Sequence, residues 1–141
     1  MAYDNKLVLM GKVSLGWSYL KLEKLKLAQQ YFDSAYEFAK EKGILSDDVF
    51  LGQATFYAET GDHEKAIEAY KELIKKFPSS GRIIEAYLGL ANTYYQSKNY
   101  PEAIENYRII IDKASADPSR QEILEKTYFG IAWAYLKSGD I

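Results

Sequence analysis

The chain has no cysteine, one histidine, three prolines and no long apolar run, and each shortage removes a class of explanation. Without cysteine there are no disulfides, no thiolate nucleophile and no cysteine-ligated metal. The lone His63 stands between Asp62 and Glu64, in a stretch that reads as a helix start, where a single imidazole is expected to be solvated rather than a metal ligand or general base. No glycine-rich phosphate loop, nucleophile elbow or paired-carboxylate signature appears. The sequence therefore calls for no catalytic residue, no metal and no cofactor. No run approaches the roughly 18 apolar residues needed to cross a bilayer, and Leu7 to Met10 is too short an apolar stretch to read as an export signal. Neither sign of charge dominates, with 18 basic and 20 acidic residues. A broad basic field is therefore missing, and neither a general affinity for nucleic acid or anionic lipid nor direct membrane insertion is expected. The compartment is left open, cytoplasm and periplasm alike.

What is present is a packed helical chain. Apolar residues make up 48% of the sequence and aromatics 15%, which argues against disorder and suits helix interfaces that fill irregular gaps. The prolines fall at Pro78, Pro101 and Pro118, near expected helix boundaries, so the helix interiors are free of breakers.

The strongest signal is internal repetition. Ala66-Ile67-Glu68-Ala69-Tyr70 returns 37 residues later as Ala103-Ile104-Glu105-Asn106-Tyr107, with Leu73 and Ile74 falling on Ile110 and Ile111 and Ala54 and Tyr57 on Ala91 and Tyr94. A fixed period of this size marks a stacked-repeat protein. Each unit reads as two antiparallel helices. In the second, Ser46 and Asp47 are placed to cap a helix with Phe50, Ala54 and Tyr57 on its inner face. Gly61 stops it and Asp62 caps the next, which carries Ala66, Ile67, Tyr70, Leu73, Ile74 and Phe77 before Pro78. The third unit repeats this with Tyr87, Ala91 and Tyr94, then Pro101 in a first turn followed by Ala103, Ile104, Tyr107, Ile110 and Ile111. A half unit with Tyr128, Ala132 and Tyr135 ends at Gly139. The first unit diverges most, with Gly16, Tyr19, Ala28, Phe32, Ala35 and Tyr36. The small residues Gly16, Ala54, Ala91 and Ala132 advance in steps of 38, 37 and 41 residues; small side chains here let helices approach closely.

The pattern Phe50-Ala54-Tyr57-Gly61-Ala66-Tyr70-Pro78 resembles the tetratricopeptide repeat family, and the likeness spans nearly the whole chain. Lys12 and Glu23 depart from it in the first unit, where an aromatic and a glycine are expected. A narrower likeness, over Lys76 to Ala103, is to bacterial cell-envelope members. The resemblance implies an all-α, right-handed superhelical solenoid of antiparallel helix pairs with about seven helices. One domain over 1–141 is expected, in units at 5–43, 46–78, 80–115 and a half unit at 118–141. The last helix is apolar on more than one face, so a fragment of a longer array is expected, or a homo-oligomer formed through that helix, with an aromatic-rich monomeric cap as the plainer alternative.

The resemblance also implies a non-enzymatic scaffold that binds another protein or a peptide along a groove lined by first helices. The family's groove positions fall on Val13 and Trp17, Leu51 and Thr55, Leu88, Asn92 and Tyr95, then Phe129, Trp133 and Leu136. Trp17 and Trp133 are read either as binding anchors or as interhelical fillers. Gly52, Gly89 and Gly130 beside this row either admit a ligand backbone or relieve crowding between adjacent first helices. Clamping of an acidic C-terminal tail is not expected. Val13, Leu51 and Leu88 stand where that clamp wants lysine, and Asn92 and Lys126, the two residues that resemble clamp members, do not combine in register. End-to-end stacking of blocks through the last helix is the alternative function.

Overall fold

The computed structural model describes residues 2–139, with side chains from Tyr3 onward. Among them lie seven α-helices: α1 (Ala2–Lys21), α2 (Leu25–Lys42), α3 (Asp47–Glu59), α4 (His63–Lys76), α5 (Ile83–Gln96), α6 (Tyr100–Ala114) and α7 (Gln121–Ser138). A short 3-10 turn, Pro118–Arg120, leads into α7. No strand occurs among the described residues. The helices form hairpins α1–α2, α3–α4 and α5–α6, and each second helix also packs on the following first helix. The first helices α1, α3, α5 and α7 touch one another in a row. This is the all-α repeat solenoid that the repetition predicts, with the first helices lining one continuous face.

Hairpin turns share one geometry built on different residues. Gly61 takes a left-handed conformation with φ 84°, and Glu23 and Lys98 take it at the matching positions with φ 57° and 66°. In each turn the next amide reaches back to an earlier carbonyl of the first helix: Lys24 N to Tyr19 O at 2.9 Å, Asp62 N to Tyr57 O at 2.9 Å, Asn99 N to Tyr94 O at 2.8 Å. These bonds satisfy carbonyls that the helix end leaves free. The turn thus overrides side-chain preference at Glu23 and Lys98, at some cost in backbone strain.

Capping differs in part from expectation. Asp62 does cap α4, accepting from Lys65 N at 3.2 Å. Ser46 precedes α3 but makes no side-chain cap bond. Asp47 instead accepts from the Ser80 hydroxyl, and Asp48 pairs with Arg82 at 3.2 Å. The start of α3 is thereby tied to the loop before α5. The first helix begins at Ala2, ahead of the expected unit start at residue 5.

The core is built on small residues facing rings. Ala28, Ala66 and Ala103 are wholly buried, as are Ala54 and Ala91. One ring from each second helix wedges between neighbouring first helices. A methyl group placed on Gly16 or Gly52 would stand 2.7 or 2.5 Å from the Phe32 ring. At Gly89 it would stand 2.3 Å from Tyr70, and at Gly130, 2.6 Å from Tyr107. The repeating glycines are therefore notches for these rings. This favours the structural reading of these glycines, room for packing between adjacent first helices, and Gly130 also borders an open cleft.

Candidate functional site

The ten predicted groove residues divide into three groups. Val13 and Leu51 are buried, at 8% and 6% exposure, and do not line an open surface. Val13 packs with Leu9, Ala35, Ala39 and Val49, and Leu51 lies in the main core cluster. Both are core residues because the first helices turn their apolar stripe inward here. Trp17 is half-buried and meets the Phe32 ring edge-on at 5.5 Å, which makes it an interhelical filler. Thr55 and Leu88 are half-buried.

The remaining five cluster toward the C-terminal end. Asn92, Tyr95, Phe129 and Trp133 line one open cleft of about 660 Å³, together with Tyr107, Glu125, Lys126, Gly130 and Lys137. Leu136 instead lines a neighbouring depression of about 570 Å³ with Glu125, Tyr128, Phe129, Ala132 and Trp133. Phe129, Leu136 and Trp133 are 69%, 51% and 45% exposed, large apolar surfaces for side chains that no neighbour covers.

The polar centre of the cleft is fixed by a residue the groove pattern missed. Tyr107, on α6, reaches between α5 and α7 through the Gly130 notch and donates to Asn92 Oδ1 at 2.5 Å. Burial pushes its hydroxyl up to about 12, so it remains a protonated donor across the physiological range. With Oδ1 engaged by Tyr107, the amide N–H groups are the donors that this cleft-lining side chain has to offer. Tyr95, edge-on to Tyr100 at 5.5 Å, walls one side. Tyr107 could have been found from its spacing: it stands before Gly130 much as Tyr70 stands before Gly89.

Asn92 and Lys126, the two residues that resemble clamp members, border the same cleft. They still do not form a tail clamp, because buried Val13 and Leu51 hold the places of its other cations and Glu125 adds a negative charge beside Lys126. Lys126 also pairs with Glu122 at 3.1 Å. His63, expected to be solvated, has its Nδ1 buried without a hydrogen-bond partner. Among the described residues no cluster of three or more potential metal ligands occurs, and no helix is long and apolar enough to cross a membrane.

An open face of stacked hairpins, with a side-chain amide, rings and mixed charge along it, defines an all-α helical-repeat protein. The tetratricopeptide repeat model matches residues 13–81 and again 51–118, and the chain belongs to that family. Its repeats generally mediate protein–protein interaction, typically as non-enzymatic scaffolds. No curated protein matches the chain.

Proposed function

We propose that this chain is a non-enzymatic scaffold that holds a segment of a partner protein in the cleft between α5 and α7. The supporting observation is the pairing of an oriented amide at Asn92 with the exposed rings of Phe129 and Trp133. A peptide carbonyl fits the Asn92 N–H groups, and an apolar or aromatic side chain fits against the rings. Lys126, Lys137 and Glu125 at the rim select register rather than supply most of the affinity. Peptides selected from a displayed library on the wild-type chain test this reading. Trp133→Ala and Asn92→Ala should each weaken the selected peptides, Trp133→Ala by about 2 kcal/mol or more, with little change in melting temperature. Equal affinity for wild type and both variants would remove the cleft from consideration.

A second reading has its own support. Tyr128 and Ala132 are exposed on α7, although the matching Tyr87 and Ala91 of α5 lie under α6. Self-association through this uncovered face follows from that contrast. Sedimentation across a range of concentrations should show a larger species that Tyr128→Glu abolishes, and a monomer throughout would end this reading. Tyr128 does not border the cleft and so separates the two readings, whereas Glu125, Phe129 and Trp133 border both surfaces.

A further inference from the structure

The tip of the first hairpin differs from the other two at matched positions. Aligning Ala28, Ala66 and Ala103 places Lys21–Leu27 on Glu59–Lys65 and Gln96–Glu102. The first stretch reads Lys-Leu-Glu-Lys-Leu-Lys-Leu; the others read Glu-Thr-Gly-Asp-His-Glu-Lys and Gln-Ser-Lys-Asn-Tyr-Pro-Glu. All three turns have the same backbone form and the same backward amide bonds, so the fold does not require leucine there. Leu22, Leu25 and Leu27 are nonetheless 65%, 46% and 36% exposed. At the places of Leu22 and Leu27 the other tips carry Thr60, Ser97, Lys65 and Glu102, polar or charged side chains.

Exposure of Leu22 does not come from lying in the first unit: Thr60 and Ser97, at its place in units with neighbours on both sides, are still exposed. Lys65, at the place of Leu27, is exposed as well, whereas His63 and Tyr100, at the place of Leu25, are half-buried. The charge departs in parallel. Three lysines face one glutamate at the first tip, whereas Glu59, Asp62 and Glu64 face Lys65 at the second. A chain of net charge −2 thus concentrates positive charge and apolar side chains on one protruding turn, backed by the stacked rings of Tyr19 and Tyr31 at 5.5 Å.

We propose that the α1–α2 tip docks on an anionic lipid surface. The leucines enter the boundary between headgroups and acyl chains, and Lys21, Lys24 and Lys26 stay at headgroup level beside the anionic phosphates. A convex turn suits a broad, deformable surface better than a peptide, which needs a groove to enclose it. Lys–phosphate attraction of this kind is surface-bound and screened by salt. The contact is peripheral and requires no spanning segment.

Co-sedimentation of the chain with phosphatidylglycerol vesicles and with phosphatidylcholine vesicles tests the proposal. Partitioning should favour phosphatidylglycerol by about tenfold or more and fall as salt is raised. The variant Leu22→Asp/Leu25→Asp and the variant Lys21→Glu/Lys24→Glu/Lys26→Glu should each lose that binding while their thermal melts match wild type, since the altered side chains are exposed. The matched-tip control Ser97→Asp should bind as wild type does. Absence of wild-type binding to phosphatidylglycerol, as expected if the tip instead meets an acidic protein, overturns the proposal. So does undiminished binding by either tip variant.

Discussion

Helix α5 carries Tyr87, Ala91 and Tyr94, and α7 carries Tyr128, Ala132 and Tyr135 at the same spacing. In α5 Ala91 is fully buried, Tyr94 is 8% exposed and Tyr87 is half-buried, with α6 packed against the helix. In α7 Ala132 is exposed, Tyr128 is 52% exposed and Tyr135 is half-buried. The same sequence face is therefore more open in α7 at each matched position. An apolar stripe declares that a surface is to be covered; it does not say whether by a helix of the array or by another molecule.

The sharpest way to break this contrast is to remove a ring from each setting. Phe32→Ala, in the wedge between Gly16 and Gly52, should cost about 3–5 kcal/mol in chemical denaturation. Phe129→Ala, equally aromatic but exposed, should stay within about 0.5 kcal/mol. Similar losses for the two would mean that α7 is covered in solution as fully as the interior helices.

Adding bulk probes the same difference at a smaller scale. Ala91→Leu should overpack its interface by about 1–3 kcal/mol, while Ala132→Leu is close to neutral in a thermal melt. The glycines give a contrast of opposite sign. Gly89→Ala should destabilise by about 1–3 kcal/mol, because the added methyl meets the Tyr70 ring. Gly11→Ala in α1 meets nothing and should stabilise by about 0.5–1 kcal/mol through helix propensity. If both glycine variants move the melting temperature the same way, the notch account of Gly89 is wrong.

The smallest expected effect lies in the turns. Lys98→Gly should raise stability by up to about 1 kcal/mol, since glycine adopts the left-handed conformation without penalty. Gly61→Lys should lower it by a comparable amount. Calorimetry on the pair would measure how far one turn geometry is imposed on unlike residues.

Much of the fold was legible in the sequence, because the repeat makes each unit a check on the others. Ala66 and Ala103 identify the second helices, and Gly61 and Pro78 mark where helices stop. The groove was only half legible. Carrying positions from unit to unit assigned Val13 and Leu51 to an open face, yet both pack into core clusters. Periodicity specifies a stripe on a helix but not its edges, and groove residues sit at edges. Tyr107 was missed for a related reason: it belongs to a second helix, and only the missing side chain of Gly130 lets it reach the concave side. The polar departures of the first unit, Lys12 and Glu23, were visible as departures. What the tip of that unit presents became clear only when the three turns could be superposed.

The ring-in-notch arrangement has a consequence for the shape of any longer array of these units. Each joint between hairpins is keyed by a single aromatic peg, so the rotation from one unit to the next depends on the size of that peg. The first joint carries Phe32 and the next two carry Tyr70 and Tyr107, and exchanging the first two pegs would reset the rotation at their joints while leaving Tyr107, which lines the cleft, in place.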